Sequence, residues 1–312
     1  MKKLFFLAAV ASVMLTACNS ENEEVKVFDS SPLRLSTQNI TGMTRAAQDL
    51  QLTQFAANEN VGIFLVENNG GPATSGTNVT VYGTNGLPLT YVANGSGGLT
   101  NTQYWPTDGN GLYIYGVYPL AAATTAAAYN ATGVSFSVQA DQSSDDNYKA
   151  SDLMTGIPAS NPVARTTEAV PLTFTHLLTK IDVNLTAGDG FVAADMDNAV
   201  VSILGTLPTT TFGVQSTTIG AASGTATDIT AGTGAATSAI IVPQAIAANA
   251  NFIQVAVGGG NYIYKLATAT TFAAHKKYTY NLTVKKTGLV LTVTTITDWT
   301  SETPVSGNAE LQ

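Results

Sequence analysis

Few side chains in this 312-residue sequence are suited to chemistry. Two histidines are present, His176 and His275, and neither has a second ligand-type residue at metal-binding spacing. A lone histidine titrates near neutral pH, but nothing around these two needs that, and both read as hydrogen-bonded core or interface residues. The single cysteine, Cys18, ends an N-terminal apolar run and leaves no thiol nucleophile for a mature domain. There is no Gly-x-Ser-x-Gly elbow. Gly258-Gly259-Gly260 is followed by no lysine and no helix start that would cradle a phosphate. The densest carboxylate cluster is Asp141, Asp145, Asp146 and Asp152. It would suit a calcium ion but lacks the full pattern of a known loop, and it otherwise reads as solvated loop acids. Glycoside hydrolysis needs two acids held a few ångströms apart on a scaffold, and the acids here fall mostly in expected loops. The residues therefore predict no enzyme, no cofactor and no metal site.

The N-terminus carries a different kind of chemistry. Lys2 and Lys3 precede an apolar stretch from Leu4 to Leu15, and small residues lead to Cys18. A basic tip, a short apolar core and a small-residue break make a secretory signal peptide. Leu15-Thr16-Ala17-Cys18 resembles the bacterial lipobox, in which the cysteine is lipidated and becomes the new N-terminus. The apolar run is too short to span a bilayer and gives way to polar Asn19-Ser20-Glu21-Asn22-Glu23-Glu24. No second stretch is long and apolar enough to cross a membrane, so the lipid on Cys18 is the expected anchor. An exported chain with no other cysteine is held by core packing rather than disulfides.

Charged residues make up 11% of the chain, well under the usual share. Thr, Ser, Asn, Ala and Gly replace them, which favours pleated, half-exposed surfaces. The net charge of −8 excludes a nucleic-acid partner. After a polar tether come Val25-Lys26-Val27-Phe28 and Leu33-Arg34-Leu35, whose leucines share one face of an extended strand. Arg45, one of three arginines, sits among small and turn-forming residues, where proteases cut.

Short strands and turns follow. Val61–Val66 is a buried-strand run, and Val79–Tyr82 and Leu89–Val92 flank a hairpin loop. Leu112–Tyr118 is an aromatic strand, and Ala121–Ala128 reads as loop. Between Val170 and Leu185 the apolar parity switches near His176 and Leu177. The expectation is one long strand that begins in one core and ends at an interdomain contact. Tyr278, Tyr280, Leu282 and Val284 alternate with polar residues as a half-buried strand, and Leu289–Trp299 follows. About seven short strands in each half predict an all-β chain of tandem β-sandwiches.

Several stretches, in this order, resemble the fimbrillin family, the FimA- and Mfa-like pilins of type V pili. They are Gln103-Tyr104-Trp105-Pro106 leading to Tyr118-Pro119, Ser151–Met154, Leu172–Ile181, Tyr278–Leu282 and Ile296-Thr297-Asp298-Trp299. The resemblance implies two transthyretin-like (Ig-like) β-sandwich domains in tandem. It divides the chain into a lipoprotein signal peptide (1–18), a tether with a removable strand (19–45), an N-terminal sandwich (46–186) and a C-terminal sandwich with a donor strand (187–312). It also implies a structural subunit of a cell-surface fimbria that supports adhesion. The lipidated precursor (palmitate on Cys18) reaches the outer membrane, and a trypsin-like protease cuts between Arg45 and Ala46. Arg34 is the weaker site, since it lies within a strand. The removed segment carries Val25, Val27, Leu33 and Leu35, and a strand from another pilin subunit, of the same or a different kind, refills the groove. The C-terminal donor candidates are the strand with Leu289, Leu291, Val293 and Ile296 and the tail after Trp299, which has only Val305 and Leu311 as apolar knobs and is too poor in them to serve by itself.

An emptied sandwich leaves an apolar groove and unpaired backbone groups that invite another strand. Each of the four apolar residues contributes about 1.5–3 kcal/mol if fully buried. The alternative is a monomeric surface lipoprotein that binds glycan or host protein in a cleft lined by Tyr104, Trp105, Tyr113, Tyr115 and Tyr118. Those aromatics sit at strand spacing and otherwise read as core.

Overall fold

The computed structural model describes residues 31–38, 55–68, 82, 86–129 and 133–299. Cys18, Val25, Val27, Arg45, Ala46 and residues 300–312 lie outside the described residues, as does the expected strand at 79–82 except for Tyr82. The chain is all-β apart from short helical turns.

Its first half closes into a ring, where the sequence suggested a sandwich of open sheets. The strands are β1 (Leu35–Gln38), β2 (Asn60–Glu67), β3 (Leu89–Ala93), β4 (Gly98–Thr100) and β5 (Leu112–Tyr118). After β6 (Val134–Ser137), which lies outside the ring, come β7 (Met154–Pro158) and β8 (Val170–His176). Their order is β1-β4-β3-β2-β5-β7-β8, and β8 returns to β1. All ring pairings are antiparallel except β1 with β8.

The uninterrupted apolar character of β2 and β5 follows from burial on both faces, since a strand covered on both sides needs no polar alternation. Val61, Ile63, Leu65, Leu112, Ile114 and Tyr118 fill the ring with Phe55, Tyr91 and Phe174. Phe64, Val66, Tyr113, Tyr115 and Val117 point outward into a second core that continues into the other half. Inside the ring, Gly116 and Gly156 face each other across the β5–β7 ladder. A Cβ at either would stand 2.5 or 2.6 Å from Cζ of Phe174, so the ring of Phe174 occupies the space that two side chains would need.

The second half is two four-stranded sheets on either side of the larger core. Its strands are β9 (Thr179–Ala187), β10 (Val200–Thr206), β11 (Thr209–Phe212), β12 (Thr227–Thr233) and β13 (Ala236–Ile241). They continue with β14 (Gln244–Ile246), β15 (Asn251–Val257), β16 (Gly260–Lys265), β17 (Thr270–Phe272), β18 (Lys276–Lys285) and β19 (Gly288–Asp298). One sheet runs β12-β10-β15-β16 and the other β13-β9-β18-β19. The alternation of β18 is as its sequence implied, with Tyr278, Tyr280, Leu282 and Val284 buried. Two small ladders, β6 with β11 and β14 with β17, complete the half.

Three expectations are corrected here. The segment from Val170 to Leu185 is two strands, not one. Leu177 and Leu178 separate β8, in the ring, from β9, in the sandwich, and this change of sheet explains the parity switch. The stretch expected as loop between Ala121 and Ala128 contains two 3₁₀ turns, Leu120–Ala122 and Ala126–Tyr129. The acid cluster is solvated only in part: Asp141, Asp145 and Asp146 are exposed, but two of them lie on a helix and Asp152 is not solvated. Asp145 and Asp146 open helix α1 (Asp145–Ser151), where acids suit the helix dipole and Ser144 caps Asn147 N–H at 3.3 Å. Asp152 is fully buried.

Candidate assembly site

β1 is the strand that closes the ring. Leu33, Leu35 and Thr37 alternate inward with period two and are 3%, 3% and 9% exposed, while Pro32 and Arg34 face out. On one flank Leu33 N–H donates to Gln103 O (2.8 Å), Thr37 N–H to Gly97 O (2.7 Å), and Trp105 N–H to Ser31 O (3.1 Å). On the other flank β1 runs parallel to β8, with Leu35 opposite Val170 and Thr37 opposite Leu172, and Val170 N–H donates to Arg34 O at 2.8 Å. The seat is thus a slot between β4 and β8. It is lined by Leu99, Trp105, Val170 and Leu172, which share a core with Leu33 and Leu35. Without β1, β4 and β8 would each gain a bare edge and the ring would open.

Of the four residues expected on a removable strand, the structure places Leu33 and Leu35 together in this slot. The Arg34–Leu35 bond lies within the paired segment, with the carbonyl of Arg34 engaged by β8. Arg165, in the loop before β8, donates from its guanidinium to Ser31 Oγ at 3.0 Å and so touches the start of the same segment.

The donor candidates lie together on β19, the edge strand beside β18. Leu289 and Leu291 pack partly against the larger core. Val293 and Ile296 are 42% and 60% exposed. A register shift between Asn281 and Leu282 leaves Thr292 as an extra residue, so β19 bulges at its middle.

A second cluster joins the two halves. His176 ends β8 and is 1% exposed. Its Nδ1 is 2.6 Å from Asp152 Oδ1, and its ring stacks on Trp299 with centroids 4.0 Å apart and planes 8° off parallel. His275 has φ of 60°, a left-handed turn that histidine tolerates better than most residues. That turn lets His275 Nδ1 donate to His176 O at 2.5 Å and its backbone N–H donate to Leu178 O at 3.0 Å. Trp299 N–H then donates to His275 O at 2.7 Å. Both histidines thus tie the β8–β9 break, the start of β18 and the end of β19 into one knot. Among the described residues no three His, Cys, Asp or Glu side chains gather at metal-binding spacing.

Trp105, Tyr113, Tyr115 and Tyr118 are buried, and Tyr104 alone of the five aromatics considered for a cleft is exposed, at 48%. Tyr118 alone of the five also lines a shallow depression of about 500 Å³, with Glu59, Asn60, Leu120, Asp146 and Lys149. Sequence reasoning passed over Gln142, whose buried amide bonds both backbone groups of Ile240. An isolated glutamine among polar loop residues has no periodicity to reveal such a role.

An all-β chain whose first half is closed by a strand from near its N-terminus, with an edge strand near its C-terminus that is uncovered among the described residues, has the parts of an assembly module. A fimbrillin-like family model matches residues 44–299, so the chain belongs to the fimbrillin-like family. A candidate cell-adhesion protein from Bacteroides uniformis ATCC 8492 has a similar structure, with a TM-score of 0.64 at 22% identity over 87% of this chain and 99% of that one. Another, from Bacteroides ovatus ATCC 8483, gives 0.61 at 16% identity over 87% and 99%. No match emerged among curated proteins. Membership places the chain among fimbrial proteins of the cell surface that assemble with other pilin subunits.

Proposed function

We propose that this chain is a structural subunit of a cell-surface fimbria, delivered as a lipoprotein on Cys18 and assembled by protease-triggered strand exchange. In this reading β1 is a temporary occupant. A trypsin-like protease cuts between Arg45 and Ala46, the segment before the cut leaves, and a strand from a neighbouring subunit enters the slot between β4 and β8. The observation that carries the reading is the double pairing and burial of β1. Such a segment cannot leave without exposing an apolar groove with two bare edges, and bare edges recruit strands. Burial of Leu33 and Leu35 contributes about 1.5–3 kcal/mol each, so the vacated slot is under drive to refill.

The donor is the C-terminal strand carrying Leu289, Leu291, Val293 and Ile296. Among the described residues β19 pairs on one flank only, with β18, so detaching it breaks that ladder. The mature chain starts at Ala46 and works in the fimbrium, while the uncut chain is held to the outer membrane by its lipid.

Limited trypsin digestion of the purified uncut chain, followed by mass spectrometry and gel electrophoresis, tests this. The expected result is a clean cut after Arg45 and then a ladder of oligomers, blocked in an Arg45→Ala chain. A chain cut at Arg45 that stays a stable monomer overturns strand exchange. Resistance of the Arg45–Ala46 bond overturns the trigger.

A further inference from the structure

The sandwich of the second half has two edges on each side, and the sides are treated differently. On one side, the segment Ala140–Gln142 engages both edges at one residue each. Thr230 N–H donates to Ala140 O at 2.8 Å and Gln142 N–H donates to Thr230 O at 2.9 Å, which pairs β12 at Thr230. The fully buried Gln142 side chain then pairs β13 at Ile240 as a strand would. Its Nε2 donates to Ile240 O at 2.8 Å, and its Oε1 accepts from Ile240 N–H at 2.7 Å. On the other side, no strand among the described residues pairs with the outer edge of β16 or β19.

Edge strands are usually guarded by lysine, proline or a cover. From Leu289 to Thr297, β19 has no charge and no proline, and most of its residues are Val, Ile or Thr. Val290, Val293 and Ile296 are 49%, 42% and 60% exposed, with Ile263 of the adjacent β16 at 39%.

We propose that β19 is a docking edge for a second copy of this chain, paired antiparallel with its own counterpart about a two-fold axis near Val293. The charges at its ends select this arrangement. Lys285, paired with Asp189, ends β18 and Lys286 follows it in the turn that leads into β19, while Asp298 ends β19. Antiparallel pairing brings Asp298 of each copy opposite Gly288 of the other, beside those lysines. Parallel pairing would set lysine against lysine. Asp298 already faces Lys276 of its own chain but remains 56% exposed, so it can serve a second cation. The same register brings the exposed Val293 of the two copies together at the axis, with the bulges at Thr292 on either side of it. The contact is isologous and closes at two subunits, with the main-chain ladder as its source of affinity. It concerns the uncut chain and does not depend on the cleavage proposed above. It would keep the donor strand covered until it is called on.

Sedimentation analysis of the purified uncut chain from low-micromolar to near-millimolar concentration tests this. The expected result is a reversible dimer of twice the chain mass, with hydrogen exchange slowed in β19 as the dimer forms. Val293→Lys and Ile296→Lys each replace an exposed side chain, and each is expected to give a folded monomer with unchanged circular dichroism. A wild-type chain that stays monomeric throughout overturns the proposal, as does a dimer that survives both substitutions. A missing dimer beside an intact trypsin-dependent ladder overturns this inference alone. A dimer without the ladder overturns the strand-exchange reading alone.

Discussion

Leu35 sits where the ring is closed, and its environment sets what a single change there would do. It is 3% exposed and shares a core with Leu99, Val170 and Leu172. Leu35→Ala removes buried methyl groups and leaves a void beside a short strand, which costs about 2–5 kcal/mol. Urea unfolding of the uncut chain measures this as a lower midpoint with an unchanged slope. Thr37, on the same face, contributes a hydroxyl bond to Gly97 O at 3.3 Å, so even the polar residue of the segment is tied to its seat. His176 shows the opposite limit of legibility. Its type suggested a core or interface residue, but its partners come from distant positions. Asp152 precedes β7, Trp299 follows β19, and their approach depends on the whole chain being folded.

At the scale of elements, the molecule is governed by which strand edges are covered. β1 covers the edges of β4 and β8, the segment Ala140–Gln142 engages β12 and β13 at one residue each, and β19 is uncovered among the described residues. Gln142→Ala would strand the N–H and C=O of Ile240, each buried. An unpaired buried group costs about 1–3 kcal/mol. The expected outcome is lower stability by that order in denaturant titration, together with faster growth of light scattering on heating, because the edge of β13 becomes more open. Which elements were readable follows the same logic. β2, β5 and β18 carry strong apolar patterns and were legible. β12, with Asp228 and Gly232 inside it, and α1, hidden in an acidic stretch, carry weak ones. Pairing with distant partners, not their own periodicity, makes them regular.

At the scale of the whole molecule, two cores share the strands β2 and β5, so the halves are fused along those strands. Both cores bury tyrosines. Burial pushes the hydroxyls of Tyr91, Tyr118, Tyr129 and Tyr280 well above the usual tyrosine range, and the charges of Glu59 and Asp152 add to the effect at Tyr118. The folded chain therefore keeps these protons when the unfolded chain loses them, at a pH of about 10. Their contribution to stability is fully present below that pH and is lost as pH rises toward the folded values. Each such tyrosine takes about 1.4 kcal/mol from stability per pH unit in that window. A spectrophotometric tyrosinate titration should show a late, cooperative phase that coincides with loss of the far-ultraviolet circular dichroism signal.

The composition and the order of short apolar runs were enough to determine an all-β chain. The reason is that threonine content and alternation are local properties of a sequence. Loosely spaced motifs were likewise enough to suggest the family. Only the tertiary structure decided that the first half closes as a ring and that the chain breaks at Leu177–Leu178. It alone paired Gly116 and Gly156 around Phe174, and among the described residues it left the outer edges of β16 and β19 unpaired while Gln142 bonded Ile240 on β13. Each of these depends on backbone groups far apart in the chain meeting at hydrogen-bonding distance, and no window of neighbouring residues encodes which distant edge a strand will find.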